Sequence, residues 1–381
     1  MKKILLIGLA LLVLGSGLFA DDAKVMPGRV GRFYLAPVFA FAPGEYNDNG
    51  NYVNYATGNV SVFNLGLALE YGIIDWITAA VQWAPGWTYT SSLIGKTGLP
   101  LSNMNGVADL LVGAKIQIIG ENAPVKTSAV RFALTPGVSI PLPGPDYEKQ
   151  AENYFDTYTY LMSGGMMGSL EKTTMANMDR HVLGVGGRVY FDWVLSDKFF
   201  INLYNETFIY PVKKDLANDG IGLSLLKAQA WSYVPPGMEA MAKPFIDAIE
   251  GDINYKYKLT FEIEPVFTTP LSDGLSITAG LPITYVFNPV HDVTIKGIND
   301  PMILGMLGMT EEQVRDTYLA PLGLVDSKAS HSLSVKPYVS FFATKIALPI
   351  EVKLQYGIPV WGMNTPSQYQ FIGQIKAYFK I

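Results

Sequence analysis

The chain has 381 residues, 28 basic against 33 acidic for a net charge of −5, and no cysteine. The mild acidity argues against a nucleic-acid partner, and the missing thiols exclude disulfide, thiolate–metal and cysteine-nucleophile chemistry. Its 22 tyrosines outnumber its 19 phenylalanines, a balance that suits a surface meeting membrane interfaces.

Met1-Lys2-Lys3, an apolar run from Ile4 to Val13, and small residues from Gly15 to Ala20 make a secretory signal peptide over residues 1–20. That run is shorter than the ~20 apolar residues a spanning helix needs. Cleavage leaves 26 basic residues against 33 acidic ones, a net −7, in one domain of residues 21–381. No later stretch is apolar enough to cross a membrane as a helix, so membrane residence demands a closed barrel.

Twelve segments then alternate with a period of two: 30–42, 59–72, 75–86, 106–120, 127–141, 181–195, 198–211, 254–268, 274–288, 331–343, 345–360 and 368–381. In 254–268, Tyr255, Tyr257, Leu259, Phe261 and Ile263 oppose Lys256, Lys258, Glu262 and Glu264. The alternation is clearest from Lys345 to Val360, where eight apolar residues from Ile346 onward fall on one face. A basic residue on the lipid face at mid-membrane costs about 2–4 kcal/mol, so this segregation of charge marks a wall between lipid and water. Asn205 alone is out of phase, which a bulge would explain.

Short turns near 73–75, 120–126, 195–198, 269–273 and 343–345 alternate with long connections at 43–58, 87–105, 142–180, 212–253, 289–330 and 361–367. The expected fold is therefore all-β: a transmembrane antiparallel up-and-down β-barrel of 12 strands, or 14 if a loop hides a hairpin. Short turns lie on the periplasmic rim, and long extracellular loops carry insertions at about 142–180, 212–253 and 289–330. That places the protein in the outer membrane of a diderm bacterium. Aromatic residues by the short turns suggest one interfacial band; Tyr210, Tyr255, Tyr257, Tyr285, Tyr356 and Trp361 suggest the other. The last strand, with Ile375, Ala377, Phe379 and Ile381 on one face, resembles the signal read by the barrel assembly machinery.

The inner face carries Glu70, Asp109, Lys115, Arg131, Arg188, Asp192, Glu206, Glu262, Glu351 and Lys353 as lumen-lining residues. With Lys256, Lys258, Glu264, Lys336 and Lys376 on the same face, the signs nearly balance, whereas an anion-selective porin would show an excess of Lys and Arg. No enzyme is expected: His181, His291 and His331 are scattered, and His331 between Ser330 and Ser332 points away from both on a strand. No metal site or cofactor loop is expected either. Of 14 methionines, those after Met26 all fall in the long connections. Methionine suits surfaces that accept varied apolar ligands, so Met162, Met166, Met167, Met238, Met241, Phe245, Met302, Met306 and Met309 are the candidate substrate-binding residues. Two of these connections hold helix-like pieces, Gly237–Ile249 and Met302–Leu322, the second with a Thr310/Gln313 capping box.

Tyr71-Gly72-Ile73-Ile74-Asp75-Trp76, Gly106–Lys115 and Thr135–Gly144 resemble the recurring blocks of the MetA-pathway phenol-degradation family, outer-membrane barrels related to the FadL-type transporters. The resemblance covers about residues 60–145. It implies passive uptake of hydrophobic small molecules, fatty acids or aromatic compounds, captured between extracellular loops and released through the wall or the interior. Only Asp21 to Val30 precede the first strand, so a long N-terminal hatch and its Asn-Pro-Ala signature are missing. Pro136 and Pro141 would weaken a wall strand for lateral exit. The competing functions are a general porin for polar solutes and a surface adhesin or structural barrel. Expected partners are outer-membrane lipids, a hydrophobic small-molecule substrate and the barrel assembly machinery.

Overall fold

A computed structural model describes residues 22–55, 59–83, 88–90, 102–104, 109–142, 156, 166, 180–216, 221–315 and 328–380. Its wall strands are β1 (Val30–Ala42), β2 (Val60–Ile74), β3 (Ile77–Trp83), β4 (Leu110–Ile119), β5 (Val130–Ile140), β6 (Gly184–Ser196), β7 (Phe199–Ile209) and β8 (Tyr257–Ser272). They continue with β9 in two pieces (Leu275–Gly280 and Ile283–Asn288), β10 in two pieces (Ser330–Val335 and Tyr338–Ala343), β11 (Ile350–Met363) and β12 (Tyr369–Lys380). Each pairs antiparallel with its neighbours, and β1 pairs with both β2 and β12, so the 12 strands close into a barrel. Two short strands, Thr88–Thr90 and Ser102–Met104, extend the sheet above β2.

The periodicity of the sequence explains the wall. Phe33, Leu69, Val81, Val189, Trp193, Leu203, Phe261, Ile263, Leu354 and Phe371 point outward, and Leu354 is 59% exposed. Asp192, Asn202, Glu206, Thr260 and Lys353 point inward and are buried. A soluble domain keeps large apolar side chains from forming such a continuous exposed surface; here the surface faces lipid. Asn205 belongs to this outer face with no bulge beside it, since β7 keeps register with β8 and, around Asn205, with β6; the β6–β7 shift lies at the turn end, between Val194 and Ser196. Its amide donates to the Thr260 carbonyl at 3.2 Å and its carbonyl accepts from Thr207 at 3.1 Å, which satisfies it in place.

Three sequence expectations need correction. The Lys345–Val360 alternation is not one strand: residues 345–349 form the turn, where Lys345 pairs with Asp273, and β11 runs on to Met363. Turn geometry, with Pro349 before the first ladder residue, overrides the alternation there. Met363 therefore ends a wall strand. Tyr210 and Tyr255 are not in an outer aromatic band; they pack into a folded cap above the barrel.

The cap is built by the two connections that flank the β8–β9 hairpin. Helices α1 (Ile221–Ser232), α2 (Glu239–Asp247), α3 (Pro301–Leu307) and α4 (Glu311–Val314) surround a core containing Leu223, Leu226, Ile246, Ile249 and Ile303, each fully buried. Strands Lys214–Asp215, Glu250–Asn254 and Asp292–Lys296 form its sheet. Asp300 caps α3 by accepting from the Met302 amide at 2.8 Å, and Thr310 with Gln313 forms the capping box of α4. A second, smaller sheet, of Gly44–Tyr46, Tyr52–Asn54 and Thr365–Pro366, rises from the β1 and β11 ends.

Candidate functional site

Residues 22–29 run inside the short-turn half of the lumen. The amide of Ala23 donates to both carboxylate oxygens of Asp192 at 3.2 Å, and the Lys115 ammonium donates to the Asp22 carbonyl. Met26 donates from its amide to the Thr78 hydroxyl at 2.8 Å, and Gly28 to the Asp75 carboxylate at 2.9 Å. Ala23 and Met26 are buried. Beside this segment a cavity of about 30 Å³ remains, bounded by Glu70, Thr78, Lys115 and Arg188. That is room for a water or two, not for a substrate.

The lumen-facing charges around the segment are paired. Arg32 meets Glu70 at 2.6 Å, Arg131 meets Asp192 at 2.7 Å, and Arg188 meets Glu206 at 2.6 Å. Glu206 also accepts from Tyr204 at 2.9 Å, and Asp192 from Asn202 at 2.6 Å. Glu351 gathers Ser340, Lys376 and Tyr378 at 2.7, 3.3 and 2.8 Å. The Lys353 ammonium lies 3.6 Å from the centre of the Tyr338 ring, and Glu262 accepts from Thr284 at 2.6 Å. Asp109 sits at the long-loop end of the lumen, 3.5 Å from His181, and accepts from Ser139 at 3.4 Å. This cluster draws on β5 and on the residues that lead into β4 and β6, distant from one another in sequence, and no local motif announces it.

The wall has a line of breaks on one side. Pro265 in β8, Pro282 between the pieces of β9, Pro337 between the pieces of β10 and Pro359 in β11 lie at nearly one level. A proline has no N–H to give the ladder. The wall is held instead by skipped bonds: Leu281 to the Pro265 carbonyl at 3.1 Å, Lys336 to Pro282 at 2.8 Å, and Tyr356 to Pro337 at 3.0 Å. At Val360 the β10–β11 register shifts by one residue, leaving Val360 and Trp361 both exposed. A cavity of about 50 Å³ adjoins this seam. On the opposite side, Pro136 opens a gap in the β4–β5 ladder between the Gly113–Gly137 and Ile116–Leu134 pairs, whereas Pro141 lies beyond the end of β5.

Among the described residues, the methionine candidates do not converge on one groove. Met238, Met241 and Met166 are exposed, Met166 at 86%, while Phe245 and Met309 pack against the cap core. Met302 is half-buried at the start of α3. Met162, Met167 and the Met306 side chain lie outside the described residues.

Arg180, which the sequence reading passed over, joins cap to barrel. Its guanidinium lies over the Tyr210 and Tyr255 rings at 4.3 and 4.9 Å, and donates to the Asn288 side chain at 2.8 Å. His291 packs on Tyr255 at 5.2 Å; burial first, and then the Arg180 charge, lowers its pKa to about 4. His331 lies on the outer surface, with its Nδ1 2.7 Å from the Tyr285 hydroxyl and its ring 4.8 Å from Phe287.

No protein-family model matches the chain, and no curated protein does. Among solved structures, an outer membrane channel from Pseudomonas putida F1 aligns over 95% of this chain and all of that one, with 11% identity and a TM-score of 0.54. A Pseudomonas aeruginosa FadL homologue aligns over 98% and 97% with 10% identity and a TM-score of 0.33. The deltaS2S3 mutant of the TodX monoaromatic hydrocarbon channel aligns over 94% and 91% with 10% identity and a TM-score of 0.35. The last two scores are too low to carry an argument. The first shows a shared fold, and with the lipid-facing surface described above it makes this chain a β-barrel of the bacterial outer membrane.

Proposed function

We propose that this barrel is a channel for passive uptake of hydrophobic small molecules, which approach from the extracellular side and leave sideways through the wall. One observation carries the reading: the axial path is narrowed by residues 22–29 and lined by paired charges, whereas the β8–β11 wall is broken by aligned prolines beside a cavity. An apolar molecule would pay to displace ion pairs in the lumen and nothing comparable to slip past Leu333 or Trp361. The neighbour from Pseudomonas putida F1 is described as a channel, and the resemblance of residues 60–145 to the phenol-degradation barrels points to the same substrate class. Fatty acids and aromatic compounds are the candidates. The exposed Met238 and Met241 would serve first capture, and the outward face of β12 would be read by the assembly machinery during insertion.

Planar-bilayer recording combined with binding of a labelled apolar probe tests this. A barrel that passes no steady current yet binds labelled naphthalene supports the transporter. A steady open current without probe binding identifies a porin for polar solutes instead.

A further inference from the structure

The cavity beside residues 22–29 is lined by more hydrogen-bond donors than acceptors. Arg188 gives its Nε to Glu206 and one terminal nitrogen to the Gln82 side-chain oxygen at 3.0 Å; among the described residues its other terminal nitrogen has no acceptor. The Gln82 amide nitrogen has none there either. The Thr135 hydroxyl is enclosed without a partner, on a residue 9% exposed. Lys115 gives one N–H to the Asp22 carbonyl and lies 4.0 Å from the centre of the Tyr190 ring, and an ammonium has three N–H groups. A buried donor left without an acceptor is costly.

The charges are as unequal as the hydrogen bonds. On the lining and in direct contact with it, Lys24, Arg32, Lys115 and Arg188 stand against Asp22, Glu70 and Glu206, four cations to three carboxylates. Three pairs form: Lys24–Asp22 at 3.8 Å, Arg32–Glu70 at 2.6 Å and Arg188–Glu206 at 2.6 Å. Glu70, the one carboxylate on the lining, is clasped by two Arg32 nitrogens. Lys115 is the cation left over, since among the described residues its contacts are a carbonyl and a ring. The donors come from four neighbouring wall strands, Gln82 in β3, Lys115 in β4, Thr135 in β5 and Arg188 in β6. Val25 and Met26 border the cavity from the lumen side.

We propose that this cavity is a halide site, in which a single chloride is held by Lys115, Arg188, the Thr135 hydroxyl and the Gln82 amide. A halide accepts several N–H and O–H bonds at once and supplies the one negative charge the surrounding groups lack. Two waters fit the same volume of about 30 Å³, but they bring as many donors as acceptors and no charge. The bound ion ties residues 24–26 to four strands of the wall. None of this depends on the uptake reading, because the site is too small for a transported molecule.

The test follows the melting of the purified barrel in non-ionic detergent as sodium gluconate is exchanged for sodium chloride or bromide at constant ionic strength. The midpoint should rise and saturate with either halide. Thr135→Val, which keeps the side chain's shape, should raise the half-saturating concentration about tenfold or more, the usual effect of losing a hydrogen bond to a charged group. Lys115→Met should abolish the response, and Lys115→Arg should keep part of it. A midpoint equal in gluconate and chloride overturns the site. So does a rise that never saturates, or one that is unchanged in Thr135→Val, since either is a general salt effect. Diffraction at the bromine edge from bromide-soaked wild-type crystals needs no variant: one anomalous peak within hydrogen-bond reach of Lys115 and Thr135 is expected. Density there without a bromine signal identifies water and overturns the proposal.

Discussion

At the scale of single residues the lumen is a set of clasps, and Asp192 is the busiest. It accepts from the Ala23 amide, Asn202 and Arg131 while fully buried. Asp192→Asn keeps the shape but leaves Arg131 without its counter-charge, and breaking a buried pair in this way costs about 3–5 kcal/mol. The expected outcome is a barrel that unfolds at lower temperature and admits a measurable current, as residues 22–29 come loose. Normal melting with no current would show that this segment is held by its other bonds. The ten lumen-facing candidates were legible because charge and alternation coincide in the sequence, and the structure places all ten on the inner side. Which acid meets which base was not legible: Arg32–Glu70 and Arg188–Glu206 depend on cross-strand register, and period-two patterning says nothing about register between strands.

Among the elements, the cap is where sequence reasoning fell shortest. The helix-like pieces were visible, but their apolar residues suited a packed cap and a ligand groove equally, and the Phe245 and Met309 side chains pack against the cap core. A stripe of apolar residues looks the same whether it waits for a ligand or for another helix. Leu226→Ala and Ile246→Ala each empty a fully buried position and should cost the cap about 2–5 kcal/mol. Limited proteolysis should then cut within 212–253 while the wall strands stay protected; unchanged cleavage would mean that the cap draws its stability from elsewhere. The cap is also expected to respond to acid. The folded-state pKa of His291 lies at about 4, below its ordinary 6.5. The unfolded cap therefore binds the proton more readily, and the contribution is complete above pH 6.5 and fades as pH falls toward 4. Protection against hydrogen exchange at Glu250–Asn254, measured relative to the intrinsic exchange rate at each pH, should fall between pH 7 and pH 4.5, and His291→Phe should flatten that dependence. An acid-insensitive wild type would remove His291 from the account.

For the whole molecule, strand count and closure followed from the alternation and from the strict exchange of short and long connections. The breaks in β9 and β10 did not, because Pro282 and Pro337 interrupt the ladder without disturbing which residues face inward. One consequence of the cap concerns time rather than shape. Its core needs both the connection before β8 and the one after β9, so it has no folding nucleus until that hairpin stands. On the orientation of the rims given above, Leu223, Leu226, Ile246 and Ile303 must cross the membrane as unfolded chain and find one another outside. The cap is thus the last part of the protein to become native, and a newly made barrel passes through an interval in which it is sealed to heat and detergent but still bare on its outer surface.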